Sequence, residues 1–371
     1  MGGLVFHKYG FCGIMNTIGR LFRLTSFGES HGIALGGVVD GCPAGLPLDF
    51  DQIKHAVQMR SPGQSEFMTS RKETDEIEWL SGIVAGKTTG APIAFIIRNE
   101  DVRSADYSRM TEVFRPGHAD YTYFQKYGIK PQSGGGRSSA RETVVRVVAG
   151  AIAKQLLGNK IDILAYASSI GSVSVPNDII PDRNSVEDSI VRCPDEKATE
   201  AMKQLIKKVK NEGDSIGGVV SCIVKGVPAG WGEPVYDKLP ARLASAMMSI
   251  NAAKGFEMGD GFGIAVKQGS EVNGSITADS GTVTFSSNHF GGTLGGISTG
   301  QDLFFRVVFK PVPTIGKAQQ TIGAHMQNAV LECAGRHDPC VVPRAVPVVE
   351  AMAALVLADL YLLAKSSEYF Y

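Results

Sequence analysis

Three histidines stand in loops with polar, glycine or proline neighbours: Gly28-Glu29-Ser30-His31-Gly32, Arg115-Pro116-Gly117-His118-Ala119-Asp120 and Arg336-His337-Asp338-Pro339-Cys340. Loops of this composition hold imidazoles and carboxylates out where they can move protons. The same groups admit other chemistries. His31, His118 and Asp338 form a candidate metal set, although no H-E-x-x-H helix or cysteine cluster accompanies it. Ser30 and His31 with an aspartate suggest a hydrolase, but the G-x-S-x-G elbow of that mechanism is absent.

Anion chemistry is indicated by a different stretch, Gly134 to Val148, which reads GGGRSSARETVVRVV. Its glycines let backbone approach a ligand closely, and Ser139 and Glu142 have the spacing of a capping box. A helix start is therefore expected here, with Arg137 and Arg141 bracketing N–H groups that favour phosphate or carboxylate. An ordinary capped helix with solvated arginines would have the same sequence. No Walker P-loop occurs, and no G-x-G-x-x-G follows a strand.

The chain has 371 residues, 43% of them hydrophobic, enough for a substantial core. Lys plus Arg and Asp plus Glu number 37 each, so the whole-molecule field gives no reason to expect a nucleic acid or a membrane as partner. Charge is local instead. Arg98, Arg103, Arg109, Arg115, Arg137, Arg141 and Arg146 fall in one span, which suits a small polyanion. Six cysteines without a C-x-x-C pair point to reduced thiols in the cytoplasm. Residues 1–14 lack an uninterrupted apolar run and are expected to be a disordered extension, with 15–371 forming one domain. Val341 to Ala364 is strongly apolar yet carries Arg344, Pro347, Glu350 and Asp359, so it reads as a buried helix and not a membrane span.

The elements that must position these groups show an internal echo. VVDGCPAGLP (Val38 to Pro47) and IVKGVPAGWGEP (Ile223 to Pro234) are each a strand-like run, a G-x-P-A-G turn and then a helical pattern, Phe50 to Met59 and Leu239 to Ile250. Duplication of a β-turn-α unit explains this. A hairpin is expected from Ile77 to Val84 and Pro92 to Ile97, helices at Arg141 to Leu157 and Thr199 to Glu212, each stopped by glycine, and further strands at Ile161 to Val175, Gly217 to Val227, Ile264 to Lys267 and Leu303 to Phe309. Strand and helix do not alternate regularly, so the expected class is α+β, with helices sandwiched between antiparallel sheets.

Six motifs together resemble the chorismate synthase family: GESHG at Gly28, RPGHADYT at Arg115, GGGRSSARET at Gly134, SINAAKG at Ser249, SNHFGGTLGGIS at Ser287 and GRHDPC at Gly335. They occur in the family's order, and the likeness runs from Asn16 to Ala364. It implies the chorismate synthase fold and a carbon–oxygen lyase, which converts 5-enolpyruvylshikimate 3-phosphate to chorismate and phosphate by anti-1,4-elimination. Reduced FMN is used without net redox change, in a cytoplasmic homotetramer of aromatic amino acid biosynthesis.

By the same resemblance, Arg60, Arg115, Ala140, Arg141 and Arg336 surround the substrate, and Arg137, Ser138, Ser139, Asn251, Ala252, Gly295, Lys310, Pro311, Val312, Pro313, Thr314 and Arg336 contact flavin. His31 is expected to assist the departing phosphate, His118 to donate towards flavin N1, and Asp338 to move the proton at N5, with Ser30 and Ser139 as relays. No metal is implied. Arg60 also matches the first of two arginines that the family associates with NADP. The second, six positions on, is Glu66 here, whose carboxylate would repel the nucleotide phosphate and argues against NADPH. An external flavin reductase is the expected partner.

Overall fold

The computed structural model describes residues 16–63, 74–99, 113–131, 133–323, 325–332 and 338–367. The expected N-terminal extension, Glu66 and Arg336 lie outside the described residues. Two five-stranded antiparallel sheets carry the chain. The first contains β1 (Thr17–Ile18), β2 (Arg23–Gly28), β3 (Ala34–Asp40), β4 (Ile77–Trp79) and β5 (Ile93–Arg98), ordered β1-β2-β3-β5-β4. The second contains β6 (Asp162–Ile170), β7 (Val173–Ser174), β8 (Gly218–Lys225), β9 (Ala253–Met258) and β10 (Leu303–Phe309), ordered β9-β10-β8-β6-β7.

Helices join and separate the sheets. They are α1 (Phe50–Arg60), α2 (Asp120–Tyr127), α3 (Thr143–Leu157), α4 (Glu196–Asn211), α5 (Leu239–Met248) and α6 (Val342–Ser366), with further short helices at Arg183–Asp188 and Gly269–Val272. Helix α3 packs on β2 and β3, α6 packs on β6 and β8, and the two helices pack on each other. Helices therefore fill the space between antiparallel sheets. By length and composition α6 could cross a membrane, but 78% of its most apolar window is buried in the fold, which makes it a core helix.

The sequence echo is one corner of a larger repeat. Strands β2-β3-β5-β4 correspond in order to β6-β8-β10-β9, and each set is followed by a long core helix, α3 or α6. The two turns close with the same bonds. Gly45 N donates to the Thr88 carbonyl at 2.8 Å and Gly230 N to that of Ser298 at 3.0 Å. Thr88 Oγ1 donates to the Pro43 carbonyl and Ser298 Oγ to that of Pro228, both at 2.6 Å. In each half the hydroxyl belongs to a two-stranded ribbon, Ile83–Val84 with Lys87–Thr88 or Thr293–Leu294 with Ile297–Ser298.

Three expectations need correction. The hairpin from Ile77 to Ile97 is interrupted at Gly82, where the first of these ribbons is inserted. Ile264 to Lys267 is not a strand: Gly261–Val266 forms a 3-10 turn with Val266 90% exposed, because the three apolar residues between Gly263 and Lys267 lack the length to specify a sheet partner. The capping box at Ser139 and Glu142 does not form. A 3-10 turn, Ala140–Glu142, precedes α3, Ser139 Oγ accepts from Arg141 N at 3.4 Å, and Glu142 pairs forward with Arg146 at 2.8 Å.

Two contacts set the geometry of the core. Asp359, fully buried in α6, accepts from the backbone N–H groups of Arg20, Leu21 and Phe22 at 2.9, 2.6 and 2.9 Å and pairs with Arg242. This anchors the chain entering β2 to the central helices. At the α3–α6 crossing, a Cβ on Gly150 would lie 2.4 Å from Ala351 Cβ and 2.8 Å from its carbonyl oxygen. Gly150→Ala is expected to destabilise the protein by ~1–2 kcal/mol, since overpacking against backbone outweighs the ~1 kcal/mol gain in helix propensity. Urea denaturation would show a lower midpoint at unchanged slope. A midpoint at or above the parent's would refute the tight crossing.

Candidate active site

A cavity of about 600 Å³ opens where the end of α1, the start of α3, the loop before α2, the turn between α5 and β9, the chain after β10 and the start of α6 meet. Its apolar lining comes from Ile250, Val312, Pro313, Val341, Ala345 and Val348. Its polar lining is mostly cationic, with Arg60, Lys254, Lys310, Arg344, His118, Asn251 and Asp338. Ser138, Ser139, Ala140, Ala252 and Thr314 also line it, as do Gly117, Ala119, Thr122 and Thr143. The volume falls in the range of roughly 300–1,000 Å³ usual for small-molecule sites.

The three consecutive glycines bring two histidines to the same loop. Gly134 and Gly135 have φ of 78° and 98°, which other residues rarely adopt. A Cβ on Gly134 would lie 2.0 Å from His31 Cε1, and one on Gly135 would lie 2.9 Å from His118 Cε1. Each imidazole thus packs directly on bare backbone. Ser30 Oγ lies 3.1 Å from His31 Nδ1, and Ser30 itself is buried. His31 does not line the cavity; it stands one glycine along the loop from His118.

His118 is held by Arg115 and Asp120. Asp120 Oδ1 lies 2.8 Å from His118 Nδ1, and the carboxylate receives Arg115 Nε and Nη2, each at 2.7 Å, as a bidentate fork. Burial alone would raise the Asp120 pKa, but the hydrogen bonds from Arg115 and His118, with their charges, outweigh it and hold the carboxyl well below the usual range. Because this folded pKa is depressed, the stability that it contributes is present above the ordinary carboxylate pKa. It is lost as pH falls from there towards the lower folded value.

Carboxylates also organise the arginines. Asp75 is buried, pairs with Arg141, lies 3.7 Å from Arg60 Nη1 and accepts from Ser61 Oγ at 2.8 Å. Arg60, 1% exposed, further donates to Thr143 Oγ1 at 3.2 Å and to the Ala140 carbonyl at 2.8 Å. Arg141 donates to Asn99 Oδ1 at 3.2 Å and sits behind the cavity wall. Asp338 pairs with Arg344 at 2.5 Å, and Arg344 Nε reaches the Arg60 carbonyl at 3.4 Å. Lys310 bonds to the Gly117 carbonyl; its pKa is lowered, first by burial and then by Lys254. Two lysines facing one space in this way favour an incoming anion.

The expected site residues therefore fall into groups. Arg60, His118, Ser138, Ser139, Ala140, Asn251, Ala252, Lys310, Val312, Pro313, Thr314 and Asp338 share the cavity. Ser30, His31, Arg115 and Arg141 do not line it: Arg115 bonds the lining His118, Arg141 shares Asp75 with the lining Arg60, and Ser30 and His31 lie against the glycine loop. Arg137 spends its guanidinium on Ser26 Oγ at 2.8 Å, Asn16 Oδ1 at 3.0 Å and the Gly28 carbonyl at 3.3 Å, fastening the glycine loop to β2 and not lining the cavity. Pro311 is exposed beyond the lining, and Gly295 is at the tip of the second ribbon, where the adjacent Gly296 carbonyl accepts from Leu239 N at the start of α5 and not at the cavity.

Sequence reasoning passed over Asp75, Asp120, Lys254 and Arg344. Asp120 and Lys254 lie inside motifs already singled out, RPGHADYT and SINAAKG. Arg344 was noticed only as a charge in an apolar helix, whereas Asp75 has no local signal at all.

Comparison with known proteins bears on the family and the fold. The family model described as chorismate synthase matches residues 22–362. A chorismate synthase of Porphyromonas gingivalis is 58% identical over 356 residues, covering 95% of this chain and 97% of that protein. One from Christiangramia forsetii is 53% identical over 354 residues, covering 95% and 99%. A chorismate synthase crystal structure superposes with a TM-score of 0.75 at 34% identity, covering 93% of both chains. With a family match across nearly its whole length and relatives at this identity, the chain belongs to the chorismate synthase family.

Proposed function

We propose that the cavity takes 5-enolpyruvylshikimate 3-phosphate together with reduced FMN, and that the chain forms chorismate and phosphate there by 1,4-elimination. The observation that carries this reading is the cavity wall. Four cationic side chains, Arg60, Lys254, Lys310 and Arg344, line the cavity with a single carboxylate, Asp338, among apolar side chains such as Val312, Pro313 and Val348 that suit a flat ring. A substrate with two carboxylates and a phosphate needs such countercharge. The residues also fit a flavin. Asn251 donates to the Ser138 carbonyl at 2.9 Å, while its Oδ1 is buried with no hydrogen-bond partner among the described residues, an acceptor that a ring N–H would satisfy.

In the elimination a C–O bond to phosphate and a C–H bond break, and the ring gains a double bond. Reduced flavin, when bound, supplies the transient electron density that makes loss of an unactivated hydrogen feasible. The side chains handle charge and protons. His31, oriented by Ser30, hydrogen-bonds or protonates the leaving phosphate. With a flavin bound, His118 would hold a proton for N1, and Asp338, steadied by Arg344, would move the proton at N5 with Ser139 as relay. Arg60, Lys254, Lys310 and Arg344 provide countercharge in the cavity itself, and the family resemblance adds Arg115, Arg141 and Arg336 on the substrate side.

The test is anaerobic incubation of the protein with 5-enolpyruvylshikimate 3-phosphate and a trace of reduced FMN. Chorismate and phosphate should accumulate in large excess over flavin. Product limited to the flavin supplied, with that flavin left oxidised, would mean that reduced flavin is consumed as a stoichiometric reductant and would overturn the reading.

Glu66 in place of the second nucleotide-associated arginine supports dependence on an external reductase. NADPH with oxidised FMN and purified protein alone should give only background turnover, and robust turnover would contradict this. A cytoplasmic homotetramer is the proposed form. Cys42, Cys193, Cys222 and Cys340 are buried free thiols, and exposed Tyr236, Phe262 and Val266 offer apolar surface for subunit contacts.

A further inference from the structure

We propose that Asp120 fixes His118 with its proton on Nδ1 and so presents Nε2 to the cavity, acting as a positioning residue for the proton that His118 handles; this rests on the role given to His118 above. Two contacts at His118 Nδ1 make opposite demands. Asp120 Oδ1, at 2.8 Å, accepts and requires Nδ1–H, whereas Arg115 Nη2, at 3.1 Å, donates and would require a lone pair. The carboxylate wins. Its contact is shorter and charge-assisted, and Arg115 Nη2 already donates to the same oxygen at 2.7 Å. A lone pair on Nδ1 would instead face a carboxylate oxygen at hydrogen-bond distance, inside a site where both acidic and guanidinium side chains are only 9% exposed.

The arrangement is also rigid. Asp120 Oδ2 accepts from Arg115 N at 3.1 Å as well as from Nε, and His118 N donates to the Arg115 carbonyl at 3.2 Å, so the loop from Arg115 to Asp120 is cross-braced. Gly135 lies against the Cε1–Nε2 edge of the ring, where a Cβ would come within 2.9 Å of Cε1 and 3.3 Å of Nε2, so the bare glycine leaves Nε2 its room. With Nδ1 occupied, Nε2 is the nitrogen left to serve the cavity that His118 lines. The same carboxylate holds Arg115, so one residue sets the position of a proton carrier and of a substrate-side cation.

Asp120→Asn separates these functions. An amide with its NH2 in the Oδ2 place would oppose two donors, Arg115 N and Nε. In the reverse setting it opposes only Nη2 and donates to His118 Nδ1. The second setting is favoured and forces the proton to Nε2. The experiment is long-range 1H–15N correlation on histidine-labelled protein, with the His118 signals assigned by their loss in His118→Gln. Wild type should display Nδ1–H, and Asp120→Asn should display Nε2–H with kcat lowered by roughly 10- to 100-fold at little changed KM. Asp120→Glu should recover part of the loss.

A His118 proton on Nε2 in the ligand-free wild type overturns the proposal without recourse to any variant. So does an unchanged tautomer, or an unchanged kcat, in folded Asp120→Asn. Absence of chorismate formation by the wild type would instead sink the proposed reaction, leaving the tautomer measurement independent of it.

Discussion

A His118→Ala variant is expected to turn over about 10²- to 10⁴-fold more slowly than the parent, the usual worth of a positioned acid–base group. The structure explains why the loss should fall on kcat. His118 lines the cavity but supplies none of its fixed countercharge, which comes from Arg60, Lys254, Lys310 and Arg344. Removing the imidazole leaves those groups in place and deletes the proton at one edge of the ligand. Arg115 keeps its bidentate bond to Asp120, so the loop should stay folded. Anaerobic steady-state assays at saturating substrate would measure the change, with flavin affinity followed separately. Parental turnover in a folded variant would remove His118 from the chemistry. His31→Ala should also slow the reaction by about 10- to 1,000-fold, with more scatter, because Ser30 beside it can still offer a hydroxyl.

Which parts of this arrangement could be read from the chain follows from the range of the forces involved. Strand β10 was placed to the residue because Leu303, Phe305, Val307 and Phe309 alternate inward, a pattern that needs no knowledge of the partner strand. The ends of α3 and α4 were marked by glycine at 158 and 213, both with positive φ. The repeat was visible only at its G-x-P-A-G corner, since there the same hydrogen bonds need the same residues, whereas the paired strands need only be apolar. Glu142 had the spacing for a cap but went to Arg146, because one turn of 3-10 geometry re-aims a side chain. Pairings across the fold were out of reach: Asp75 with Arg141 spans 66 positions, and nothing near residue 75 announces a buried ion.

That buried carboxylate is the second point where a large effect is expected. Asp75→Ala leaves Arg60 and Arg141, whose side chains are 2% and 5% exposed, without the anion between them, and should cost about 3–5 kcal/mol of stability, as loss of one member of a buried ion pair does. Arg60 retains Thr143 Oγ1 and the Ala140 carbonyl, and Arg141 retains Asn99, so neither guanidinium is stripped of every bond. What they lose is compensation of charge. Asp75→Asn keeps the size and an acceptor for Ser61 Oγ, so comparing the two variants separates charge from packing. If charge dominates, both variants should lose most of the same stability in urea denaturation. If Asn restores the parent's midpoint, the paired arginines do not need the negative charge. A loss below about 0.5 kcal/mol for both variants, the level of an ordinary surface change, would mean that Asp75 does not hold this wall of the cavity.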